Sequence, residues 1–176
     1  SEMCIRDSLW AMTSKLGVPT PPGVTIGVNT CAMLGKSQVT ENFTATMDNA
    51  IARLEKETGK QLGDPVNPLL LAVRSGASVS MPGMMETILN VGVTPLTLPA
   101  LHNSTGDHFF ALDSYRRFLE AFCQSMLGID GFMFDTQTKE NADLSDHIKD
   151  LEAVVSEQIG AERLCDARYL LNECIR

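Results

Sequence analysis

A stretch built around one arginine, residues 69–92, carries the residues best suited to chemistry in this 176-residue chain. It reads LLLAVRSGASVSMPGMMETILNVG, in which an apolar run leads to Arg74 and then to a loop of small residues. A glycine-bearing loop before a helix offers backbone N–H groups to an anion, and a neighbouring arginine adds a planar fork of donors. The residues alone therefore indicate an anion or phosphate site.

Each residue of this stretch also has a plainer interpretation. A strand-end arginine such as Arg74 commonly pairs with a surface carboxylate, and composition alone favours that pairing over a phosphate contact. A pair of methionines on a helix, such as Met84 and Met85, is typical of core packing. Ser75 and Ser80 are typical of loop serines that satisfy local backbone groups. Composition and spacing leave both interpretations open.

The other titratable residues form no recognisable catalytic or metal-binding set. The five cysteines include no CxxC pair and lie at no metal-ligand spacing from a histidine, which predicts free thiols in a reducing compartment. No histidine is assigned a catalytic role, and no metal ligand is assigned. Arg116 and Arg117 point about 100° apart on a helix, so at most one is expected to face the domain. A solvated charge pair and a phosphate or interdomain contact stay equally open for them.

The overall composition excludes several classes of protein. The hydrophobic share is 44% and the formal net charge is −8, which indicates a globular domain and argues against a non-specific nucleic-acid binder. The sequence contains no run of about 20 apolar residues, so no membrane span is predicted. No secretory signal pattern opens the sequence. An acidic chain can still bind a nucleotide through a few local cations.

Local patterns predict α and β elements up to about residue 108 and helices after it. For the first part, the pattern predicts the end of a helix at Leu9–Leu16, a strand at Val24–Val28, a helix at Asn42–Thr58, a strand at Leu69–Val73, a helix from Met84 to Leu89 that Gly92 ends, and an irregular stretch from Val93 to Asp107. The buried stripe of the Asn42–Thr58 helix is predicted to contain Met47, Ile51 and Leu54.

Three helices are predicted in the second part. The first is capped by Asp113 or Ser114 and buries Tyr115, Phe118, Leu119, Phe122 and Met126. The second runs from Leu144 to Ile159, with Asp143 as its cap and Gly160 after its end, and the third runs from Ala161 to Asn172.

The string VRSGASVSMPGMMETILNVG resembles the N-terminal nucleotide-binding domain of pyruvate, phosphate dikinases. The similarity includes KLGVPTPPGVTI, ETGKQLGDPVNPLLLAVRSG and FFALDSYRRFLEAF, and it covers residues 9–128 well and the remainder loosely. Phosphoenolpyruvate synthases and antibiotic-phosphorylating dikinase-like enzymes share the valine-arginine-serine core. They are not expected to carry the whole SMPGMMETILNVG extension.

The resemblance implies an α+β fold, in which the first lobe of a partial ATP-grasp domain precedes an all-helical subdomain. By this analogy the lobe spans residues 9–108, the helical insert spans 109–176, and the acidic metal ligands lie in a second lobe beyond them. Residues 1–8 match nothing in the family pattern, where a glycine-rich loop with a phosphate-binding lysine is expected. We expect them to be an artefactual or truncated start.

The resemblance also implies a function and a set of site residues. The family converts ATP, pyruvate and phosphate to AMP, phosphoenolpyruvate and diphosphate with Mg²⁺, and the complete enzyme is expected to be a cytoplasmic homodimer. Arg74 is implied as the catalytic residue that contacts the nucleotide phosphates. Gly83, Met84 and Met85 complete the implied nucleotide-binding set, Gly83 by close backbone approach. Alone, this fragment is expected to be inactive.

Two alternatives to this assignment stay open. The first is a stand-alone nucleotide-binding or regulatory module that performs no phosphoryl transfer, which the missing lysine loop would fit equally well. The second is a related dikinase that transfers phosphate to another acceptor, such as water or a drug. The SMPGMMETILNVG string disfavours the second alternative, although only through the resemblance.

Overall fold

A computed structural model of the chain describes residues 11–27, 41–74, 87–129 and 141–175. The chain divides into two compact units, Ser1–Gly59 and Lys60–Arg176. The first unit contains α1 (Glu41–Thr58). The second contains β1 (Leu71–Arg74), β2 (Thr87–Val91), α2 (Leu98–Thr105), α3 (His108–Met126), α4 (Asn141–Ile159), α5 (Ala161–Leu164) and α6 (Ala167–Ile175). None of the helices in these ranges is long and apolar enough to cross a membrane.

The first unit begins, within the described ranges, with a π-helical turn at Ala11–Lys15. The residues after it, up to Gly27, form no strand, so the predicted strand at Val24–Val28 is wrong over its described part. Val24 is 46% exposed. Among the described residues no strand pairs with this segment. A strand without a partner lacks the inter-strand backbone hydrogen bonds that stabilise a sheet.

Helix α1 confirms the helix predicted at Asn42–Thr58. Its apolar stripe is buried as predicted, at Met47, Ile51 and Leu54. Gly59 follows the helix with φ of +68°, and its N–H donates to the Glu55 carbonyl at 2.8 Å. A glycine in this left-handed conformation ends the helix without the steric cost that a side chain would add.

Strands β1 and β2 form an antiparallel hairpin in the second unit. The ladder pairs Leu71 with Val91, and Arg74 with Thr87. The helix predicted up to Leu89 is therefore wrong over residues 87–89. Backbone pairing with β1, together with the β-branched Thr87 and the burial of Ile88 and Val91, outweighs the helical spacing of the apolar residues.

The loop before β1 is closed by backbone hydrogen bonds that fix the residues leading into the strand. The Leu69 N–H donates to the Gln61 carbonyl at 2.7 Å, and the Gln61 N–H donates to the Asn67 carbonyl at 3.1 Å. Leu69 is buried, but regular strand structure begins only at Leu71. The predicted strand is thus present, and it starts later and is less buried than the apolar run indicated.

Helix α2 occupies part of the stretch predicted to be irregular from Val93 to Asp107, and that prediction is wrong there. Pro99 lies in the first turn of the helix, where its missing N–H has no intrahelical partner to lose. Pro99 therefore suits the start of this helix and does not prevent it. Gly106 ends it in a left-handed conformation, with φ of +70°.

Helix α3 forms the centre of the second unit and packs against α2, α4, α6 and β2. Its predicted buried face is confirmed at Tyr115, Phe118, Leu119 and Phe122, all of which are at most 1% exposed. The predicted cap at Asp113 or Ser114 is wrong, because the helix begins at His108. Asp107 caps it instead, as its Oδ1 accepts from the Phe110 N–H at 3.0 Å.

Helix α4 lies against α3. Four of its apolar residues at helical spacing are buried, namely Leu144, Ile148, Leu151 and Val155, whereas Ile159 in the last turn is half-buried. It begins at Asn141, so the predicted cap Asp143 lies inside the helix. The single helix predicted from Ala161 is divided into α5 and α6, because Asp166 accepts from the Arg168 and Tyr169 N–H groups and starts a new helix.

Candidate phosphate-binding site

Arg74 is the last residue of β1, and its Cα pairs with that of Thr87, the first residue of β2. Both side chains are exposed. Arg74 and Thr87 are the residues that precede and follow segment 75–86 in sequence, and the ladder pairs them. This pairing places the Arg74 cation at the end of the hairpin that the chain leaves after Arg74 and rejoins at Thr87.

Among the described residues, no side chain forms a hydrogen bond or an ion pair with the Arg74 guanidinium. Guanidinium stays charged under ordinary conditions and can donate to two oxygens of one anion. The pairing with a surface carboxylate, which composition alone favoured, is absent among the described residues.

The remaining predicted site residues, Gly83, Met84 and Met85, lie outside the described residues, as do Ser75 and Ser80. Their roles stay predictions. What the described ranges establish is that Arg74 and Thr87, the residues that flank this segment in sequence, are paired.

Two contacts hold the hairpin against the rest of the second unit. The Asn90 side chain donates from Nδ2 to the Ser114 carbonyl of α3 at 3.2 Å. Gly92 lies so close to the Leu69 backbone that an added Cβ would stand 2.5 Å from the Leu69 carbonyl oxygen. Gly92 has φ of +113° and follows β2, so it is needed for close approach and not, as predicted, to end a helix.

A buried threonine turn continues from Gly92. The Thr97 hydroxyl donates to the Gly92 carbonyl at 2.9 Å and accepts from the Thr94 N–H at 2.9 Å. Thr94 and Thr97 are 0% and 1% exposed. Because these hydroxyls satisfy buried backbone groups, the turn joins β2 firmly to α2.

A second charged cluster joins α3 to α4. Arg116 donates to Asp113 Oδ1 at 2.7 Å and to Glu120 Oε2 at 2.6 Å, and Glu120 Oε1 lies 3.1 Å from His147 Nε2. Arg117 donates to Asp113 Oδ2 at 2.7 Å. The cluster was missed from the sequence, although its i,i+3 and i,i+4 spacing is readable there.

Arg116 and Arg117 lie in different environments. Arg116 is 4% exposed, whereas the Arg117 side chain is 60% exposed, so the prediction that at most one faces the domain is confirmed. The solvated-pair interpretation is wrong for Arg116. Burial acts to lower the pKa of Arg116, but the hydrogen bonds to Asp113 and Glu120 outweigh it and raise that pKa.

Tyr115 is another buried polar residue with a structural partner. The Tyr115 hydroxyl donates to Glu152 Oε1 at 3.0 Å, and burial, followed by the Glu152 charge, raises the pKa of Tyr115 above its ordinary range. Cys123, Cys165 and Cys174 are free thiols. In the part of the chain that the structure describes, no group of three or more His, Cys, Asp or Glu residues is arranged to hold a metal ion.

Comparison with known proteins identifies relatives over most of the chain. This chain is 41% identical over 140 residues to pyruvate, phosphate dikinase of Rhizobium meliloti (strain 1021). The aligned region covers 78% of this chain and 16% of that protein. For the enzyme of Rickettsia conorii the identity is 42% over 147 residues, with 82% and 17% covered. For that of Giardia intestinalis it is 46% over 132 residues, with 73% and 14% covered. No protein-family model matches the chain.

These relatives share one name, and the chain is homologous to one segment of pyruvate, phosphate dikinase. The predicted resemblance is thereby confirmed. The chain spans 14–17% of the length of these three relatives.

Proposed function

We propose, from the homology to pyruvate, phosphate dikinase, that this chain is part of the ATP-binding domain of such an enzyme and that Arg74 binds the nucleotide phosphates. The complete enzyme would convert ATP, pyruvate and phosphate to AMP, phosphoenolpyruvate and diphosphate. This fragment would supply one side of the nucleotide site and no part of the pyruvate site.

The observation that carries the proposal is the placement of Arg74. It is exposed at the end of the hairpin, where it pairs with Thr87, and no described carboxylate forms an ion pair with it. The net charge of −8 repels a polyphosphate in general, so a local cation is needed to bind one. A guanidinium can meet two phosphate oxygens at once.

Arg74 would act on the reaction by position and charge. Phosphoryl transfer depends mainly on orienting the groups and neutralising charge on the phosphate oxygens. The loss of one such contact from a complete enzyme would lower the rate on the order of 10²- to 10³-fold. We propose Gly83, Met84 and Met85 as the other nucleotide-binding residues, with Gly83 allowing close backbone approach.

ATP and Mg²⁺ differ in how well the described residues suit them. Arg74 suits the ATP phosphates, whereas no described cluster offers the oxygen ligands that Mg²⁺ prefers. Mg²⁺ would neutralise phosphate charge in the complete enzyme, and we place its ligands outside this chain. Arg74 would orient the phosphates and share in the charge neutralisation.

The finer architecture also belongs to the proposal. The described α helices and the antiparallel hairpin are consistent with an α+β fold. We propose that residues 9–108 are the first lobe of an ATP-grasp domain and that 109–176 are its helical subdomain, on the basis of the sequence resemblance. For the complete protein we propose a cytoplasmic homodimer.

The binding test is calorimetric titration of Mg·ATP into the 176-residue chain and its variants. Arg74→Ala should weaken binding about 10- to 100-fold, because it removes charge-assisted hydrogen bonds to phosphate. Arg117→Ala removes the same charge from an exposed site on α3 and should change affinity by less than about twofold. Equal losses for both variants, or no binding by the parent chain, would contradict the proposal.

A separate assay tests the expectation that the fragment lacks activity. The isolated chain is incubated with ATP, pyruvate, phosphate and Mg²⁺, and AMP is measured. We expect ATP binding without AMP formation, since one side of a nucleotide site cannot complete the transfer. AMP formation that depends on pyruvate and phosphate would show that the chain is an enzyme by itself.

A further inference from the structure

Strand β2 contains one residue more than β1 over the same length of ladder. Leu71 pairs with Val91 and Val73 with Ile88, so Ala72 lies opposite both Leu89 and Asn90. Such a bulge bends the strand and increases its local twist. It lies roughly 7–10 Å along the ladder from the pair formed by Arg74 and Thr87, at about 3.3 Å per residue.

The bulge determines which side chains face the core. Ile88 and Val91 are both buried, at 4% and 0% exposure, although they are separated by an odd number of positions. In a regular strand such residues would point to opposite faces. The extra residue restores Val91 to the core face while Thr87 and Arg74 stay exposed.

Asn90 contributes to this bulge in two ways, through its backbone conformation and through a side-chain hydrogen bond to α3. It has φ of +59°, the only positive φ of a non-glycine residue in the described ranges. Asparagine tolerates this conformation better than most residues with a side chain. Its Nδ2 also donates to the Ser114 carbonyl of α3 at 3.2 Å, which fixes the bulge to the most buried helix of the unit.

We propose that Asn90 is the positioning residue for Arg74. By fixing the bulge to α3, Asn90 sets the register and twist of the far end of the hairpin, and so the direction in which the guanidinium is presented. Loss of the bulge would shift the ladder by one residue, and a shift of one residue exchanges the two faces. The effect of Asn90 on nucleotide affinity rests on the proposed function, whereas its effect on the direction of Arg74 does not.

The test compares three variants of the full chain. Asn90→Gly keeps the positive φ and removes the side-chain hydrogen bond to α3. Asn90→Val removes the bond and disfavours the positive φ. Leu89→Thr changes the exposed neighbour in the same bulge and leaves Asn90 intact, which makes it the matched control.

Three measurements are made on each variant. Residual dipolar couplings of the Arg74 and Thr87 N–H groups report the direction of the hairpin end relative to α3. Calorimetric titration reports the affinity for Mg·ATP, and urea unfolding reports the unfolding midpoint. Asn90→Gly should rotate both N–H directions and weaken ATP binding about threefold to tenfold, since one anchoring hydrogen bond is lost. Asn90→Val should do more, and Leu89→Thr should change neither measurement.

The outcomes separate this inference from the proposed function. If Asn90→Gly leaves the two N–H directions unchanged while only the unfolding midpoint falls, the role of Asn90 is purely structural and the inference is overturned. If the directions rotate and ATP affinity falls, it is supported. If the parent chain binds no ATP, the proposed function fails, and the N–H directions in Asn90→Gly alone decide whether Asn90 positions Arg74.

Discussion

One arginine lies at the α3–α4 interface and another at the end of the β1–β2 hairpin. They differ in how their charge is accommodated. Arg116 is 4% exposed and donates to two carboxylates, those of Asp113 and Glu120. Arg74 is exposed at the end of β1 without a partner among the described residues. The first arginine is neutralised within its own helix, whereas the second is presented to solvent.

This difference separates residues that stabilise the fold from residues suited to a ligand. A buried charge must be paired, because desolvation without compensation costs several kcal/mol, on the order of 2–5. An exposed guanidinium has no such requirement, because water solvates its charge. Among the described residues, no ion pair has to break before Arg74 contacts an anion, whereas Arg116 would have to leave Asp113 and Glu120.

The largest expected effect tests the close packing that holds the hairpin. Gly92→Ala should lower the free energy of unfolding by about 3 kcal/mol, because its Cβ would collide with the Leu69 carbonyl and its φ is positive. Gly106→Ala is the control, since its φ is +70° but nothing lies within 4 Å of the added Cβ. It should cost about 1 kcal/mol. Urea unfolding measures both, and equal costs would contradict the packing argument.

A smaller effect tests the neutralised arginine. Arg116→Met keeps the buried apolar stem but leaves Asp113 and Glu120, whose side chains are 20% and 19% exposed, without the shared cation. We expect a loss of about 2 kcal/mol in unfolding free energy, discounted from the cost for a fully buried pair. Arg117→Met removes an exposed partner of Asp113 and should cost less than about 0.5 kcal/mol. If Arg117→Met proved as costly as Arg116→Met, burial would not distinguish the two sites.

A separate effect, read as a pH dependence, concerns a buried thiol of α3 at alkaline pH. Burial first, and the Glu120 charge second, raises the pKa of Cys123 to about 11. The unfolded thiol ionises near its ordinary pKa of about 8.5, so the unfolded state binds fewer protons between these values. The protonated Cys123 thiol therefore contributes to the unfolding free energy at lower pH. This contribution should be lost as pH rises from about 8.5 to 11, by at most about 1.4 kcal/mol per pH unit.

The comparison that isolates this thiol uses Cys123→Ala. The pH dependence of the unfolding free energy should be shallower in the variant than in the parent chain over the same alkaline range. Identical slopes would mean that the Cys123 thiol titrates alike in both states.

Periodicity predicted the long helices well because their burial follows a repeating pattern. The stripe of Met47, Ile51 and Leu54 and the buried face that contains Tyr115 and Phe118 are both confirmed. Helix ends were predicted less well. Asp107 caps α3 although Asp113 and Ser114 are of equally suitable types, since only the conformation before the helix distinguishes them.

The hairpin could not be predicted because its stability depends on residues distant in sequence. Ile88 and Leu89 follow a helical pattern with the methionines before them, and pairing with β1 overrides that pattern. The contact between Asn90 and Ser114 spans 24 positions. Local spacing carries no information about such a contact. Arg74 was selected as a site residue from its neighbours in sequence; the structure places it at the end of β1, and its role stays a prediction.

The most direct test of the central claim is to map where ATP binds on the uniformly ¹⁵N-labelled chain. Mg·ATP is titrated while the amide resonances are followed. The account predicts that the largest changes occur at Arg74 and Thr87, that Arg74→Ala needs about 10- to 100-fold more Mg·ATP to produce the changes at Thr87, and that the amides around Arg116 stay unchanged. Saturable changes confined to the α3–α4 interface, or undiminished binding by Arg74→Ala, would contradict it.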